Sequence, residues 1–309
     1  MTTIVTAQTT GSEILNVVNA AAIHGSKAEW GENYTYEIVF FDDGSTDGTR
    51  TAIEKLCDKH NEVRAVFYSK NFGYLKNTFY CMKQAKGDCA IIVHADLQNP
   101  PELIPEFIEK WEKGAQVVLG VKNKSRENKF VYFLRTVFYF LMIKVFCVKL
   151  IAHATEFELF DKSFIEILNN VKTNTPFLRG LITEYASGID CVYYTQDARK
   201  KGKSKFNLNK YYDFAICGIT QYSVCLPRRI IAVTVTALMI IFTEFCFGFL
   251  PRISNYDYLN IINSVILRAV LAVLCMLVIV ICILFEYVIS NKNNAVQKPM
   301  ITEEKRINY

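Results

Sequence analysis

The chain has 309 residues, of which 51% are hydrophobic and 21% are charged, and its formal net charge at pH 7 is +5. This composition excludes a disordered chain, and so mild a positive charge gives no indication of a nucleic-acid-binding protein. The length accommodates one domain with a full core and an additional segment.

Up to about residue 125, short apolar runs alternate with segments of helical spacing. Strands are predicted at 3–7, 36–41, 64–68, 89–93 and 117–121. Helices are predicted between them, at 11–22, 46–58, 74–85 and 101–111. This alternation predicts an α/β domain with a mainly parallel sheet and helices on both faces.

The segment 128–151 is rich in aromatic residues, and all of its charged side chains are basic. This pattern favours a basic amphipathic helix that lies in a membrane interface. The alternative is a core helix of the globular domain. The number of bulky apolar residues exceeds what a single core-facing stripe needs, which favours the interface.

Two long apolar spans follow, at 230–250 and 261–289, and a short polar connection at 251–260 separates them. Each span is long enough to cross the hydrocarbon core of a bilayer, which is about 30 Å thick. We therefore predict two transmembrane helices within 226–290 that form a hairpin.

Lysine and arginine residues lie just outside both spans. By the positive-inside rule, the domain over 1–225 and a polar tail over 291–309 then face the cytoplasm. Glu244 and Arg268 lie inside the spans, and we predict that they form a pair across the hairpin.

The ten cysteines are scattered and have no spacing typical of a zinc site. We interpret them as reduced thiols of a protein that faces the cytosol. Residues 1–6 lack a basic region followed by a long apolar run, so we expect no signal peptide there.

Two strands of the predicted sheet lead into carboxylates. One leads to Asp96, after which two prolines stop the strand, and the other leads into Asp42 and Asp43. Acids at the carboxyl ends of buried strands are typical of metal and phosphate sites in open α/β sheets. We interpret Asp96 as a ligand of Mg²⁺ or Mn²⁺ and the aspartate pair as acceptors for a nucleobase and ribose. Asp47 is predicted to cap the next helix.

Six segments, in this order, are similar to motifs of one protein family. They are Phe41–Thr49 (FDDGSTDGT), Asn71–Gly73 (NFG), Ala85–Asp88 (AKGD), His94–Glu102 (HADLQNPPE), Phe177–Gly180 (FLRG) and Arg199–Phe206 (RKKGKSKF). The chain resembles the inverting family 2 glycosyltransferases of the polyprenyl-phosphate type, such as dolichol-phosphate mannosyltransferases and undecaprenyl-phosphate glucosyltransferases. The resemblance covers nearly the whole chain and implies a GT-A-type nucleotide-sugar-binding domain.

The resemblance also implies the residues of the site. The expected catalytic residues are Asp96, Glu156 and Arg199, with Asp96 as the metal ligand. The residues expected to bind the nucleotide sugar are Asp42, Asp43, Lys70, His94 and Gln98. Those expected to bind the acceptor or the diphosphate are Arg126, Arg179, Lys203, Ser204 and Lys205. Two alternative interpretations stay open. In the first, the basic run Arg199–Lys205 is a solvated loop and not a phosphate-binding loop. In the second, Arg179 pairs with an internal acid and not with the acceptor phosphate.

The chain departs from the family pattern in three places. His94 stands where the family has an acid, and a neutral imidazole is a poor ligand of Mg²⁺. In the segment after Ala154, Glu156 replaces an aspartate and Glu158 replaces an arginine. The N-terminal loop at 7–13 lacks the PxxNE motif, which leaves contacts to the base there open.

The implied function is transfer of a hexose, with inversion, from a nucleotide sugar such as UDP-glucose to undecaprenyl phosphate. The product would be a lipid-phosphate sugar for the modification of cell-surface glycans. The implied protein is a multi-pass inner-membrane enzyme with its catalytic domain in the cytoplasm, and a homo-oligomer is also implied. One alternative is a membrane glycosyltransferase that elongates a polysaccharide or a lipid-linked glycan, although the QxxRW motif of processive synthases is absent. The other is a catalytically degenerate scaffold.

Overall fold

The fold was analysed in a computed structural model of the chain. It describes residues 2–7, 35–94, 99–125, 129–196, 208–223, 225–249, 258–295 and 299–309. The helix predicted at 11–22 lies outside these residues.

The described strands form one eight-stranded sheet in the order β7-β5-β6-β4-β1-β2-β3-β8. The strands are β1 (Thr2–Ala7), β2 (Glu37–Asp42), β3 (Val63–Tyr68), β4 (Cys89–His94), β5 (Val117–Ser125), β6 (Ala154–Asp161), β7 (Ile189–Gln196) and β8 (Glu303–Ile307). The pairs β1–β2, β1–β4, β2–β3 and β5–β7 are parallel. The pairs β4–β6, β5–β6 and β3–β8 are antiparallel. The sheet is therefore mixed, but six of the eight described strands run in the same direction and β6 and β8 run the opposite way, which agrees with the prediction of a mainly parallel sheet.

The described helices are α1 (Thr49–Lys59), α2 (Tyr74–Lys83), α3 (Ile104–Glu112), α4 (Lys129–Phe140), α5 (Lys162–Asn170), α6 (Leu178–Tyr185), α7 (Leu208–Tyr222), α8 (Cys225–Phe249) and α9 (Tyr258–Ala295). Of these, α1 and α3 cover one face of the sheet, and α2, α5 and α6 cover the other. A 3₁₀ turn at Pro101–Leu103 precedes α3.

Two apolar cores result from the alternation of side chains along the strands. Phe40 packs on one face with residues of α1 and α3, whereas its neighbour Phe41 packs on the other face with residues of α2, α5 and α6. All five strands predicted up to residue 125 are confirmed, with bounds that differ by one to four residues. The helices predicted at 46–58, 74–85 and 101–111 are also confirmed, and the carboxylate of Asp47 accepts the Thr49 amide as predicted, at 3.0 Å.

The antiparallel strand β6 determines which chain segments meet at one edge of the sheet. β1, β2 and β4 are parallel, so their carboxyl ends lie side by side, with Ala7 next to Asp42 and Thr6 next to His94. β6 runs in the opposite direction between β4 and β5, so its amino end lies at this edge together with the carboxyl ends of β5 and β7. We call this the carboxyl edge.

The segment predicted as one amphipathic helix over 128–151 is a shorter helix that ends in an irregular turn. α4 passes into a π-helical turn at Leu141–Val145, after which Cys147 adopts a positive φ of 53°. Its surface is two-sided: Tyr139 is buried, while Phe133 and Phe140 are 60% and 59% exposed. The amphipathic character is thus present, and the exposed side carries large aromatic rings.

Two long helices and a strand complete the described chain. α9 contains a stretch, Ala272–Lys292, that is long and apolar enough to cross a membrane, and none of it is buried in the protein. It is the single such stretch in the described ranges, and a transmembrane hairpin with α8 remains a prediction. The side chains of Glu244 and Arg268 lie outside the described residues. Within the predicted polar tail, the structure has β8, which joins the sheet beside β3.

Candidate active site

Asp42, at the end of β2, is engaged inside the protein. The side chain is fully buried. Its carboxylate accepts a hydrogen bond from the Ser45 amide at 3.2 Å and one from Arg50 Nε at 3.0 Å. The first bond shapes the loop after β2, and the second pairs a buried charge with a cation. Asp42 therefore organises the carboxyl edge, in an environment where a buried carboxylate needs such partners.

Asp43 connects the loops that follow β2 and β3. Its carboxylate accepts the amides of Phe72 at 2.7 Å and Gly73 at 3.1 Å. The two loops also approach each other closely at Gly44. The φ of Gly44 is +70°, and a Cβ on this residue would lie 2.6 Å from Asn71 N. Glycine alone satisfies both the conformation and the close approach. The aspartate pair thus holds two loops together at the edge.

Lys70 lies on the second of these loops and is exposed. Its ammonium group is 5.4 Å from the ring centroid of Phe72. The loop that carries it is fixed by the Asp43 carboxylate. An exposed lysine on a fixed loop at this edge has the charge and the reach to contact a phosphate group.

The central feature of the edge is an ion pair between Glu156 of β6 and Arg179 of α6. Arg179 Nη2 donates to Glu156 Oε1 at 2.5 Å, and Nη1 donates to the Tyr139 hydroxyl at 2.8 Å. The guanidinium also lies 5.5 Å from the ring centroid of Phe214 of α7. Arg179 is thereby held between the sheet, α4 and α7. The alternative of pairing with an internal acid is the arrangement in this structure.

Glu156 remains ionised throughout the physiological range. Burial opposes its ionisation, but the charges of Arg179 and His94 outweigh burial and hold the pKa of the carboxyl down at about 2. The pair is partly accessible, with Glu156 26% and Arg179 18% exposed. Glu156 is therefore a weak base whose main role in this geometry is to orient the guanidinium.

His94 ends β4 next to this pair. The β4–β6 pairing places Glu158 opposite Ile92, and the charge of His94 helps to lower the pKa of the Glu156 carboxyl, so these two side chains lie close together. The His94 ring lies 5.8 Å from the ring of Tyr74, the first residue of α2. The Tyr74 hydroxyl is buried, and hydrogen bonding to it is among the effects that lower the pKa of the Glu156 carboxyl.

Glu158 is the second acid of β6 on this face, two residues beyond Glu156. It is 1% exposed, and its Oε2 has no hydrogen-bond partner in the described chain. Burial, and then the charge of Glu156, raises its pKa to about 8, although Arg179 acts in the opposite direction. Glu158 is therefore a neutral carboxylic acid at pH 7. As a result, Glu156 alone of these two acids carries a negative charge beside Arg179.

Seven of the expected site residues lie outside the described residues. They are Asp96, Gln98, Arg126, Arg199, Lys203, Ser204 and Lys205. The strands that precede them, β4, β5 and β7, all end at the carboxyl edge. The described ends of these strands thus converge on the edge that carries Asp42, His94 and Glu156.

A buried network fixes the chain just after the Asp96 segment. The Tyr194 hydroxyl donates to Asn99 Oδ1 at 2.9 Å and lies 3.0 Å from Thr155 Oγ1, which in turn is 3.0 Å from the Gly120 carbonyl. Asn99 is 2% exposed. This network connects β5, β6 and β7 to the segment that follows β4, and it restrains where that segment ends.

The described residues contain no group of three or more side chains that could hold a metal ion. Three acids near the edge are each accounted for, because Asp42 pairs with Arg50, Glu156 pairs with Arg179, and Glu158 is protonated. Asp96, which the family resemblance implies as the metal ligand, lies outside the described residues.

Sequence reasoning missed three residues of this site. Arg50 and Tyr139 give no local signal, because each acts on a residue that only the fold brings near. Tyr74 follows the NFG turn and could have been singled out as the first residue of the helix that this turn begins.

Comparison with known proteins places these observations in a family. Residues 4–186 match the family described as Glycosyl transferase family 2. An uncharacterized glycosyltransferase of Bacillus subtilis is 32% identical over 189 residues, which are 61% of this chain and 58% of the relative. A bactoprenol glucosyl transferase of Shigella phage SfV is 32% identical over 198 residues, 64% of each protein. The chain covers less than two thirds of the length of either relative.

Solved structures with a similar arrangement have low sequence identity. Glucosyl-3-phosphoglycerate synthase from Mycobacterium tuberculosis, in complex with Mn²⁺, UDP-glucose and phosphoglyceric acid, is 14% identical with a TM-score of 0.46, over 71% of this chain and 77% of that chain. A mannosyltransferase from Pyrobaculum calidifontis, in complex with GDP-Man and Mn²⁺, is 15% identical with a TM-score of 0.42, over 87% and 85% of the two chains.

The protonation of Glu158 predicts a pH dependence of stability. Its folded pKa of about 8 lies above that of an exposed glutamate, so the folded state holds a proton that the unfolded state has released. The free energy of unfolding therefore falls as the pH rises above about 5, and the loss of stability is complete above about pH 8. Glu158→Gln removes the titration and should be more stable than the wild type at pH 8, by on the order of a few kcal/mol, but much less so at pH 5.

Thermal unfolding of both proteins at pH 5 and pH 8 measures this difference. Glu166→Gln, at an exposed glutamate of α5, is the control and should follow the wild type at both pH values. A stability difference between Glu158→Gln and the wild type that is the same at both pH values would contradict a protonated Glu158.

Proposed function

The chain belongs to glycosyl transferase family 2, and from this premise we propose that it transfers a hexosyl group from a nucleotide sugar to a polyprenyl phosphate. Its sheet and flanking helices form a GT-A-like glycosyltransferase fold. The relatives named bactoprenol glucosyl transferase support a polyprenyl acceptor and UDP-glucose as the first donor to test.

One observation carries the proposal. Arg179 bonds on one side to Glu156 at the carboxyl edge and on the other side to Tyr139 of α4. A neighbouring face of α4 exposes Phe133 and Phe140. A lipid that lies along this apolar face would bring its phosphate to a partly accessible guanidinium, which favours phosphate as a bidentate partner.

The reaction needs alignment more than acid–base chemistry. A phosphate monoester is largely dianionic at pH 7, so a phosphate oxygen attacks the anomeric carbon without prior proton removal. A bond forms between that oxygen and the anomeric carbon, the bond to the nucleoside diphosphate breaks, and the configuration inverts. Glu156, ionised and paired with Arg179, orients the cation that holds the acceptor. Such positioning supplies a large part of a catalysed displacement.

A divalent cation completes the proposed site. Asp96 would hold Mg²⁺ or Mn²⁺ together with diphosphate oxygens, because these cations prefer oxygen ligands. When bound, the cation neutralises charge on the departing diphosphate. Lys70 and the basic residues Arg126, Arg199, Lys203 and Lys205 are proposed to add charge around the phosphates, with Ser204 and Gln98 as hydrogen-bonding groups.

The position of β8 supports a transmembrane hairpin. β8 follows α9 in the chain and pairs with β3 in the same sheet that precedes α8. If α9 crosses the membrane, the chain must cross a second time for β8 to reach that sheet, and α8, which has 25 residues, packs against α9. We propose that α8 and α9 form this hairpin, with the catalytic domain on the cytoplasmic side of the inner membrane.

The first test is sugar transfer by Asp96→Ala. Radiolabelled UDP-glucose or GDP-mannose is supplied with undecaprenyl phosphate, and the lipid-phosphate sugar is extracted and counted. We expect a loss of about 100-fold or more, the scale of removing a main electrostatic contributor to a transition state. Asp88→Ala is the matched control, since Asp88 is exposed and lies just before the amino end of the same strand. A growing polymer as the product, or full transfer by Asp96→Ala, would overturn the proposal.

The second test concerns the acceptor. Arg179→Lys keeps the charge but loses the two-pronged geometry, so the KM for undecaprenyl phosphate should rise about tenfold. The KM for the nucleotide sugar should change by less than about twofold. The control is Arg64→Lys, because Arg64 forms an equally exposed ion pair with Glu37 at 2.7 Å near the other edge of the sheet. A rise confined to the nucleotide sugar would place Arg179 on the donor instead.

The third test concerns the hairpin. A single cysteine introduced at Asn255, between α8 and α9 in the chain, should react with a membrane-impermeant maleimide added outside intact cells. A cysteine introduced at Lys298 should react only after the membrane is opened, because that residue lies between α9 and β8 in the chain. Labelling of both cysteines from the same side of the membrane would contradict two membrane crossings.

A further inference from the structure

Arg50, the second residue of α1, joins three strands through one guanidinium. Nε donates to Asp42 of β2 at 3.0 Å, Nη2 donates to the Tyr68 carbonyl at the end of β3 at 2.7 Å, and Nη1 donates to Glu304 of β8 at 2.9 Å. The planar guanidinium group of Arg50 thus donates hydrogen bonds in three directions. No motif and no part of the proposed reaction uses this residue.

Asp42 depends on this contact. It is fully buried, and Arg50 is the cation that the described residues place against it. The same carboxylate accepts the Ser45 amide and so holds the loop after β2. A buried carboxylate that loses its cation is strongly disfavoured, so without Arg50 the side chain would turn toward water and release the loop.

The position of Glu304 is fixed independently of Arg50. β8 pairs with β3 from Glu303 to Ile307, with a register shift between Phe67 and Tyr68 that leaves Glu304 without a paired residue on β3. Just before β8, the Thr302 carbonyl accepts the Ser69 amide at 3.1 Å, and just after it, Asn308 Nδ2 donates to the carbonyls of Cys57 and Val63. Tyr80 adds a bond to Glu303 at 2.6 Å. β8 thus presents Glu304 to Arg50 from a docked strand.

We propose that Arg50 is a positioning residue of the nucleotide-sugar site, and that β8, through Glu304, is a structural part of that site. The inference rests on the proposed function in one respect, namely that the carboxyl edge binds the donor. A chain of three charged groups, Glu304, Arg50 and Asp42, then connects the strand that follows the apolar helices to the loop that receives the nucleotide.

The experiment uses the full-length chain in lipid nanodiscs with the variants Arg50→Ala, Arg50→Lys and Glu304→Gln. Lys305→Gln is the matched control, because Lys305 of β8 also pairs with α1, through Glu54 at 2.8 Å, but does not contact Asp42. Hydrogen exchange of the segment 43–48 reports on the loop, and titration with UDP-glucose and Mn²⁺ reports on the donor site. Thermal unfolding gives the folded fraction, to which both readouts are normalised.

We expect Arg50→Ala to speed exchange in 43–48 and to weaken UDP-glucose binding, each by about tenfold or more, the scale of losing a charged hydrogen bond. Glu304→Gln should act in the same direction by about threefold, since its pair is more exposed. Arg50→Lys should recover part of both losses. Lys305→Gln should stay within about twofold of the wild type.

Unchanged exchange in 43–48 in Arg50→Ala would overturn the inference, and so would equal losses in Glu304→Gln and Lys305→Gln. A lower folded fraction with unchanged affinity per folded molecule would also overturn it, because it assigns Arg50 to stability alone. Faster loop exchange in a protein whose wild type binds neither UDP-glucose nor GDP-mannose supports the Arg50–Glu304 connection and instead overturns the proposed function.

Discussion

The reversed direction of β6 is the constraint on which the site depends. A wholly parallel sheet would collect only the carboxyl ends of its strands at one edge. Because β6 runs antiparallel between β4 and β5, its amino end, with Glu156, joins those carboxyl ends. The acid then lies beside His94 and within reach of Arg179. One inserted strand therefore brings together groups that parallel pairing alone would have kept at opposite edges.

The acids of the site work largely by holding other parts of the protein in place. Asp42 and Asp43 accept backbone amides of two loops, and Glu156 holds Arg179. Glu158 avoids a second negative charge at this edge by keeping its proton. The result is an edge whose charges are balanced before any ligand arrives. A preorganised arrangement of this kind lowers the cost of aligning charged substrates.

The amino acid sequence predicted the elements that follow simple rules. Apolar runs that end in turn residues gave β1 to β5, and helical spacing gave the helices between them. It missed β6, because this strand carries a buried acid, Glu158, where the alternation of a strand predicts an apolar residue. It missed β8, because four charged residues in a row, Glu303 to Arg306, are typical of a solvated tail. In the site, the motifs predicted Asp42 and Glu156. The proposed positioning role of Arg50 could not be predicted, because it depends on β8, which lies more than two hundred residues further along the chain.

The pairing of β8 with β3 has a consequence for the order in which the protein is made. The β3 side of the sheet stays open during synthesis until residues 303–307 have left the ribosome, and by then α8 and α9 have already emerged. An open strand edge invites pairing with other chains, and at about 5–20 residues per second it stays open for on the order of tens of seconds. The ribosome thus delivers α8 and α9 before the strand that closes the sheet, so the sheet is completed only after both long apolar helices have been made.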